Sequence, residues 1–189
     1  MQTLIPNLTI GAMALSALIG LAIPAVLYII FRKKGANHLP FWTGAVTFVL
    51  FALVLEQLVY SVLMKTGFWM TVSSNIWLLG IFGGFMAGLF EETGRFVAMK
   101  TVLRKKRAND YNGLMYGAGH GGIEAVILLS FSMIMNVVFS LQINAGQASP
   151  LGGLDAAQQL ASTPFWMMLV GAIERISAVA IHVSLSVLV

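Results

Sequence analysis

The chain has 189 residues, of which 58% are hydrophobic and only 10% are charged, and its mean hydropathy is +0.87. A soluble globular protein of this length carries far more charge, so the composition excludes that class and predicts an integral membrane protein. The chain contains no cysteine, which excludes disulfide bonds, thiolate catalysis and cysteine metal ligands.

The 11 Lys and Arg residues outnumber the 7 Asp and Glu residues, which gives a net charge of +4. Most of this excess lies in two short runs, RKK at 32–34 and RKKR at 104–107. Both runs flank apolar segments, so we interpret them as topology determinants and expect no nucleic-acid partner. The positive-inside tendency then places both runs in the cytoplasm and the N-terminus outside.

The predicted fold class is all-α, a polytopic transmembrane helix bundle that forms a single integral membrane domain over residues 1–189. A helix needs about 20 apolar residues to cross a lipid bilayer, which predicts spans at 4–31, 40–64, 76–103, 111–141 and 164–189. Residues 142–163 are small and polar, and predict a mobile outer loop with one helical turn after Asp155. The fifth span lacks the basic flank expected at its inner end, so we expect further C-terminal helices after Val189.

Glycines recur every four residues on the third and fourth predicted spans, at Gly80, Gly84 and Gly88 and at Gly113, Gly117 and Gly121. Stripes of this kind let another helix backbone approach closely. We therefore predict that the third and fourth spans pack against each other as antiparallel neighbours.

Two adjacent carboxylates and an arginine, Glu91, Glu92 and Arg95, lie within the apolar third span. Ionisable side chains are expensive in hydrocarbon and mark functional sites. Arg95 is four residues from Glu91 and three from Glu92, so it can hold one carboxylate while the other acts. Glu56 in the second span is instead expected to be hydrogen-bonded between helices or to reach the outer surface.

The fourth span carries His120 and Glu124, four residues apart on one helix face and surrounded by glycines that leave room for a ligand. We expect Glu124 to orient His120. Counting helical rise places His120 at the same depth as Glu91, on a neighbouring span.

The fifth span carries Arg175 and His182, which are seven residues apart and therefore project from one side of the helix. Glu174 and Arg175 are expected to face different directions, and they are interpreted as members of structural ion pairs. His182 lies within a few turns of the depth of Glu91, so three spans are predicted to converge on one polar centre.

These motifs, Glu91-Glu92-x-x-Arg95, His120 in a Gly-x-Gly-His-Gly-Gly-x-Glu setting and a later His182, resemble the YhfC group of intramembrane peptidases. That group is similar to the glutamic intramembrane proteases typified by CAAX prenyl endopeptidases and bacteriocin-processing membrane proteases. The resemblance implies a bacterial cell membrane and a peptide substrate in or next to the lipid bilayer.

The resemblance also implies catalytic roles for these residues. Glu91 with His120 would activate water for attack on a peptide carbonyl. The residue chemistry agrees: Glu91 or Glu92 with His120 could supply the base and the proton for the leaving nitrogen, and His182 could bind the oxyanion. Arg95 would hold the second carboxylate in register. The wider group usually has one residue more before the arginine. It also ends in His-x-x-x-Asn or Asp, whereas this chain has Ser186, a weaker oxyanion donor, four residues after His182.

The same side chains, Glu91, His120 and His182, could instead hold zinc with one coordination position open for water. The sequence expectation favours a metal-free glutamic site and keeps zinc as the alternative. Two other classes stay open. An ion- or proton-coupled transporter also places Glu, Arg and His at one depth, and a non-catalytic membrane scaffold can share the fold.

Overall fold

The structure, a computed structural model, describes residues 4–106, 109–147 and 153–189. Within these residues five helices are long and apolar enough to cross a membrane. We call them the first to fifth spans: Asn7–Lys33, His38–Leu63, Ile76–Lys100, Asp110–Asn144 and Phe165–Leu185. The described part of the chain contains helices and no strand, so the predicted all-α polytopic bundle is confirmed.

Short helices occupy two of the predicted connections. Gly67–Ser73 lies in the turn between the second and third spans, and Thr66 caps it. The third span begins after Asn75, whose side chain accepts hydrogen bonds from the next turn. The predicted outer loop contains the helix Gly153–Ser162 where a single turn was expected. Residues 148–152 of that loop lie outside the described residues, and its mobility stays a prediction.

The fourth span is the centre of the bundle and contacts three other spans through its glycines. A Cβ atom added at Gly119 would lie 1.9 Å from the carbonyl oxygen of Phe41 on the second span. One added at Gly122 would lie 2.6 Å from Pro24 on the first span. The stripe Gly113, Gly117 and Gly121 faces backbone atoms of the fifth span, between Val179 and Val187. Glycine therefore permits the close backbone contacts that hold this helix in place.

The predicted pairing of the third and fourth spans through matching glycine stripes is wrong. No described residue outside the local helix lies within 4 Å of a Cβ placed at Gly80, Gly84 or Gly88. The third span packs instead on the second, where Gly94 fits against Phe51 and Thr47. A glycine stripe shows where a backbone can approach, but it does not specify which helix approaches.

Two segments of the spans are π-helical, Val49–Glu56 in the second span and Ala125–Phe131 in the fourth. Glu56 is the last residue of the first segment, and Glu124 directly precedes the second; both side chains are buried. A π-helical turn shifts the helix register and is frequent at functional sites. Both segments therefore change helix register beside a buried carboxylate.

Candidate active site

The structure brings Glu91, His120 and His182 together from the third, fourth and fifth spans. Oε2 of Glu91 lies 3.5 Å from Nε2 of His120 and 3.6 Å from Nε2 of His182. The two imidazole rings are 4.7 Å apart between centroids. The convergence of three spans on one polar centre, expected from the sequence, is thus present in the geometry.

This cluster lies in the interior of the bundle. His120 has no exposed surface, and only small parts of His182 and Glu91 remain accessible. Neither ring nitrogen of His120 makes a hydrogen bond among the described residues, because the 3.5 Å approach of Glu91 falls short of good hydrogen-bond geometry. A buried imidazole without a partner is costly, which indicates that a further ligand completes the site.

The donor set and its spacing fit a divalent metal ion. One ligand atom from each of Glu91, His120 and His182 lies within 4.8 Å of the other two. Tetrahedral zinc with bonds of about 2.0–2.2 Å requires ligand atoms about 3.3–3.5 Å apart, and the two separations from Glu91 are 3.5 and 3.6 Å. Two histidines and one carboxylate are a ligand set of catalytic zinc, with a fourth position open for water.

Arg95 connects the second carboxylate of the pair to His182. The guanidinium is fully buried, donates a hydrogen bond to Glu92 and donates another from Nη2 to Nδ1 of His182 over 3.1 Å. The Glu92 side chain is 46% exposed and pairs with Arg95, and it is not one of the three clustered residues. The adjacent glutamates therefore separate: Glu91 faces the site, and Glu92 holds Arg95.

Glu124 contacts His182 and Arg175, where the sequence predicted that it would orient His120. Its Oε2 is 2.9 Å from Nε2 of His182, and its Oε1 accepts a hydrogen bond from Arg175. Arg175 also pairs with Glu174, which agrees with a structural role for this pair although the two side chains do not face apart. The partners of Glu124 differ from the prediction because the fifth span packs along this face of the fourth and supplies charged partners that helical spacing alone does not reveal.

Ser186 is buried, and its hydroxyl donates a hydrogen bond to the carbonyl oxygen of His182 over 2.6 Å. The hydroxyl is thereby used within the last turn of its own helix. The structure does not direct it toward the cluster, where the resemblance placed an oxyanion donor.

Sequence reasoning missed two aromatic residues around His120. Phe48 of the second span meets the imidazole edge to face at 5.4 Å, and Tyr116 lies 6.0 Å from it on the same helix. Tyr116 is four residues before His120, so helical spacing could have identified it. Phe48 carries no comparable signal, because its contact depends on how the second span packs.

A family model described as YhfC intramembrane metalloprotease matches residues 19–189. The chain belongs to this family. It is similar to a protein of Bacillus subtilis (strain 168) described as the uncharacterized membrane protein YhfC. The two are 38% identical, over 94% of this chain and 72% of the relative. No solved structure matches the chain.

Membership in the YhfC family changes the expectation about a cofactor. The family is described as metalloproteases, and three buried ligand atoms of this chain fit an ion, so the preference for a metal-free site is not supported. The comparisons reach the YhfC family and do not extend to the CAAX prenyl endopeptidases. The family assignment and the five apolar spans describe an integral membrane protein of an intramembrane protease family.

Proposed function

We propose that this chain is an intramembrane peptidase that hydrolyses a peptide bond at the Glu91, His120 and His182 cluster. The observation that carries the proposal is the buried arrangement of these three side chains, with ligand atoms at zinc-like separations. The substrate is a peptide segment in or next to the lipid bilayer, because the cluster lies between membrane-spanning helices.

One oxygen of Glu91 and one ring nitrogen each of His120 and His182 would hold the ion. A zinc ion bound there would act as a Lewis acid toward a peptide carbonyl and would activate water. The helices hold the two histidine ligands in place before an ion binds. Phe48 and Tyr116 enclose His120, and Glu124 and Arg95 contact His182.

The charged residues around the cluster hold these ligands in place. Arg175 fixes Glu124, and Glu124 lies against His182, so a pair of opposite charges supports the fifth-span ligand. This contact holds the His182 ring in the orientation that places Nε2 near Glu91. On the third span, Glu92 pairs with Arg95, and Arg95 donates a hydrogen bond to Nδ1 of His182. These residues are proposed to position the site and not to react.

The mechanism also accounts for the retention of buried charge in an apolar bundle. Peptide hydrolysis requires an activated water, stabilisation of the developing oxyanion and a proton for the leaving nitrogen. A transporter would require charged groups along a pathway across the membrane. A scaffold would not require a cluster of charged groups at a single site. The description of the family as proteases favours hydrolysis over both alternatives.

A cleavage assay tests the proposal. The protein is reconstituted in liposomes with transmembrane peptides, and products are identified by mass spectrometry. We expect wild-type protein to cut a peptide, Glu91→Gln and His120→Ala to show no cleavage, and His38→Ala to keep full activity. His38 is the matched control because it lies at the start of the second span and bonds only Tyr28 among the described residues. Cleavage by Glu91→Gln or His120→Ala at the wild-type rate would contradict the proposal.

A further inference from the structure

Glu56 of the second span is a buried carboxylate that neither the motifs nor the three-residue cluster includes. It is 7% exposed, and no hydrogen bond or ion pair to its side chain is found among the described residues. The hydrogen bond between helices that the sequence analysis allowed for is therefore not found among the described residues. An unpaired carboxylate within a membrane span is costly, and it is retained where it serves the site.

The packing of the second span on the third locates Glu56 relative to Glu91. Near one end of the contact, Gly94 lies against Thr47 and Phe51. Near the other end, a Cβ atom added at Gly83 would lie 4.0 Å from the hydroxyl of Tyr60. These contacts define an antiparallel register. Interpolating between them places Glu56 opposite Ala87, one helical turn before Glu91.

The directions of the side chains bring the two carboxylates toward each other. A helical side chain leans toward the N-terminus of its own helix. Because the two spans are antiparallel, Glu91 leans toward the turn opposite Glu56, and Glu56 leans toward the turn opposite Glu91.

The other carboxylates near the cluster already have partners. Glu91 is one of the proposed ligands, Glu92 pairs with Arg95, and Glu124 pairs with Arg175 and His182. A hydrolytic site still needs a group to receive a proton from the attacking water. Glu56 is the buried carboxylate beside the cluster that has no partner among the described residues.

We propose that Glu56 is the catalytic carboxylate that binds the attacking water and receives its proton, an inference that rests on the proposed peptidase function. The water oxygen forms a bond to the peptide carbonyl carbon, the carbonyl π electrons move to the carbonyl oxygen, and one water proton moves to Glu56. When the C–N bond breaks, that proton moves from Glu56 to the leaving nitrogen. The products are a carboxylic acid, which keeps the second water proton, and an amine, and Glu56 returns to its starting state.

The test compares Glu56→Gln with wild type by three measurements: zinc content, binding of the substrate peptide and cleavage rate. Glu174→Gln is the matched control, since the Glu174 side chain is 55% exposed and pairs only with Arg175 among the described residues. We expect Glu56→Gln to keep its zinc and to bind the peptide within about threefold of wild type. Its cleavage rate should fall by about 10²–10⁴-fold, the usual contribution of a positioned general base.

Several results would overturn the role of Glu56. Cleavage by Glu56→Gln at the wild-type rate would remove Glu56 from the mechanism while the peptidase function stands. Loss of zinc together with cleavage would make Glu56 a ligand instead of a base. If Glu56→Gln does not fold, Glu56→Asp takes its place: a slower rate with unchanged zinc supports the role, and an unchanged rate overturns it. Absence of cleavage by wild-type protein that holds zinc would overturn the peptidase function and this role together.

Discussion

Arg95 on the third span donates a hydrogen bond to Nδ1 of His182 on the fifth span over 3.1 Å. Arginine stays protonated and has no acceptor atom, so Nδ1 must present a lone pair and the proton of a neutral ring lies on Nε2. An ion held through Nε2 requires that proton to leave and places a proton on Nδ1 against the guanidinium. The contact between Arg95 and His182 therefore opposes ion binding.

This opposition gives a prediction for Arg95→Gln. The glutamine oxygen can accept a hydrogen bond from Nδ1–H, and its amide can still donate to Glu92. The variant gains one hydrogen bond to Nδ1–H and no longer places two donors against each other. This should stabilise the zinc-bound state by about 1 kcal/mol, so zinc affinity should rise by about five- to tenfold. Competition with a chelating indicator measures the affinity in detergent. Weaker binding by a folded Arg95→Gln would show that Arg95 supports the ligand geometry instead.

Glu124 and Glu174 make a matched pair of variants, because both carboxylates bind Arg175 but only Glu124 contacts His182. Glu124→Gln removes a negative charge beside Nε2 of His182 and weakens the contact that holds the ring, so zinc affinity should fall by about tenfold. The change in Glu174→Gln should stay below about threefold. Equal losses in both variants would mean that Arg175, and not Glu124, positions His182.

The Ser186 hydroxyl is used by the carbonyl oxygen of His182, so Ser186→Ala should keep peptide cleavage within about threefold of wild type. Removing an oxyanion donor typically costs about 10²–10³-fold in rate. The single-turnover rate of peptide cleavage by Ser186→Ala distinguishes a small change from a loss of this size. A loss of the larger size would return Ser186 to the role that the family resemblance implied.

Gly119→Ala and Gly88→Ala test the packing of the bundle. A Cβ at Gly119 would lie 1.9 Å from a backbone oxygen of Phe41, whereas a Cβ at Gly88 meets no described residue within 4 Å outside its own helix. Helix backbones cannot shift as cheaply as side chains, so Gly119→Ala should lower the thermal midpoint strongly or prevent folding. Gly88→Ala should leave the midpoint nearly unchanged or raise it slightly, because alanine favours the helix. Equal midpoints would contradict the central place of the fourth span.

The sequence predicted the spans and the convergence of Glu91, His120 and His182, because helical rise and hydropathy depend on local residues. It could not predict which helices touch. Gly80, Gly84 and Gly88 have the spacing of a packing stripe, yet the fourth span uses its own glycines against the first, second and fifth spans. The sequence also missed the partners of Glu124 and Ser186. Glu124 pairs with Arg175 through a contact between two spans, and the Ser186 hydroxyl is taken by the carbonyl oxygen of His182.

The three histidines of this chain allow the central claim to be measured directly. Zinc per chain is determined by mass spectrometry after purification in mild detergent without chelator, for wild type, His120→Ala, His182→Ala and His38→Ala. The account predicts about one zinc per chain in wild type and in His38→Ala, and almost none in the other two. Equal zinc in all four proteins, or no zinc in folded, cleavage-active wild type, would contradict an ion held by Glu91, His120 and His182.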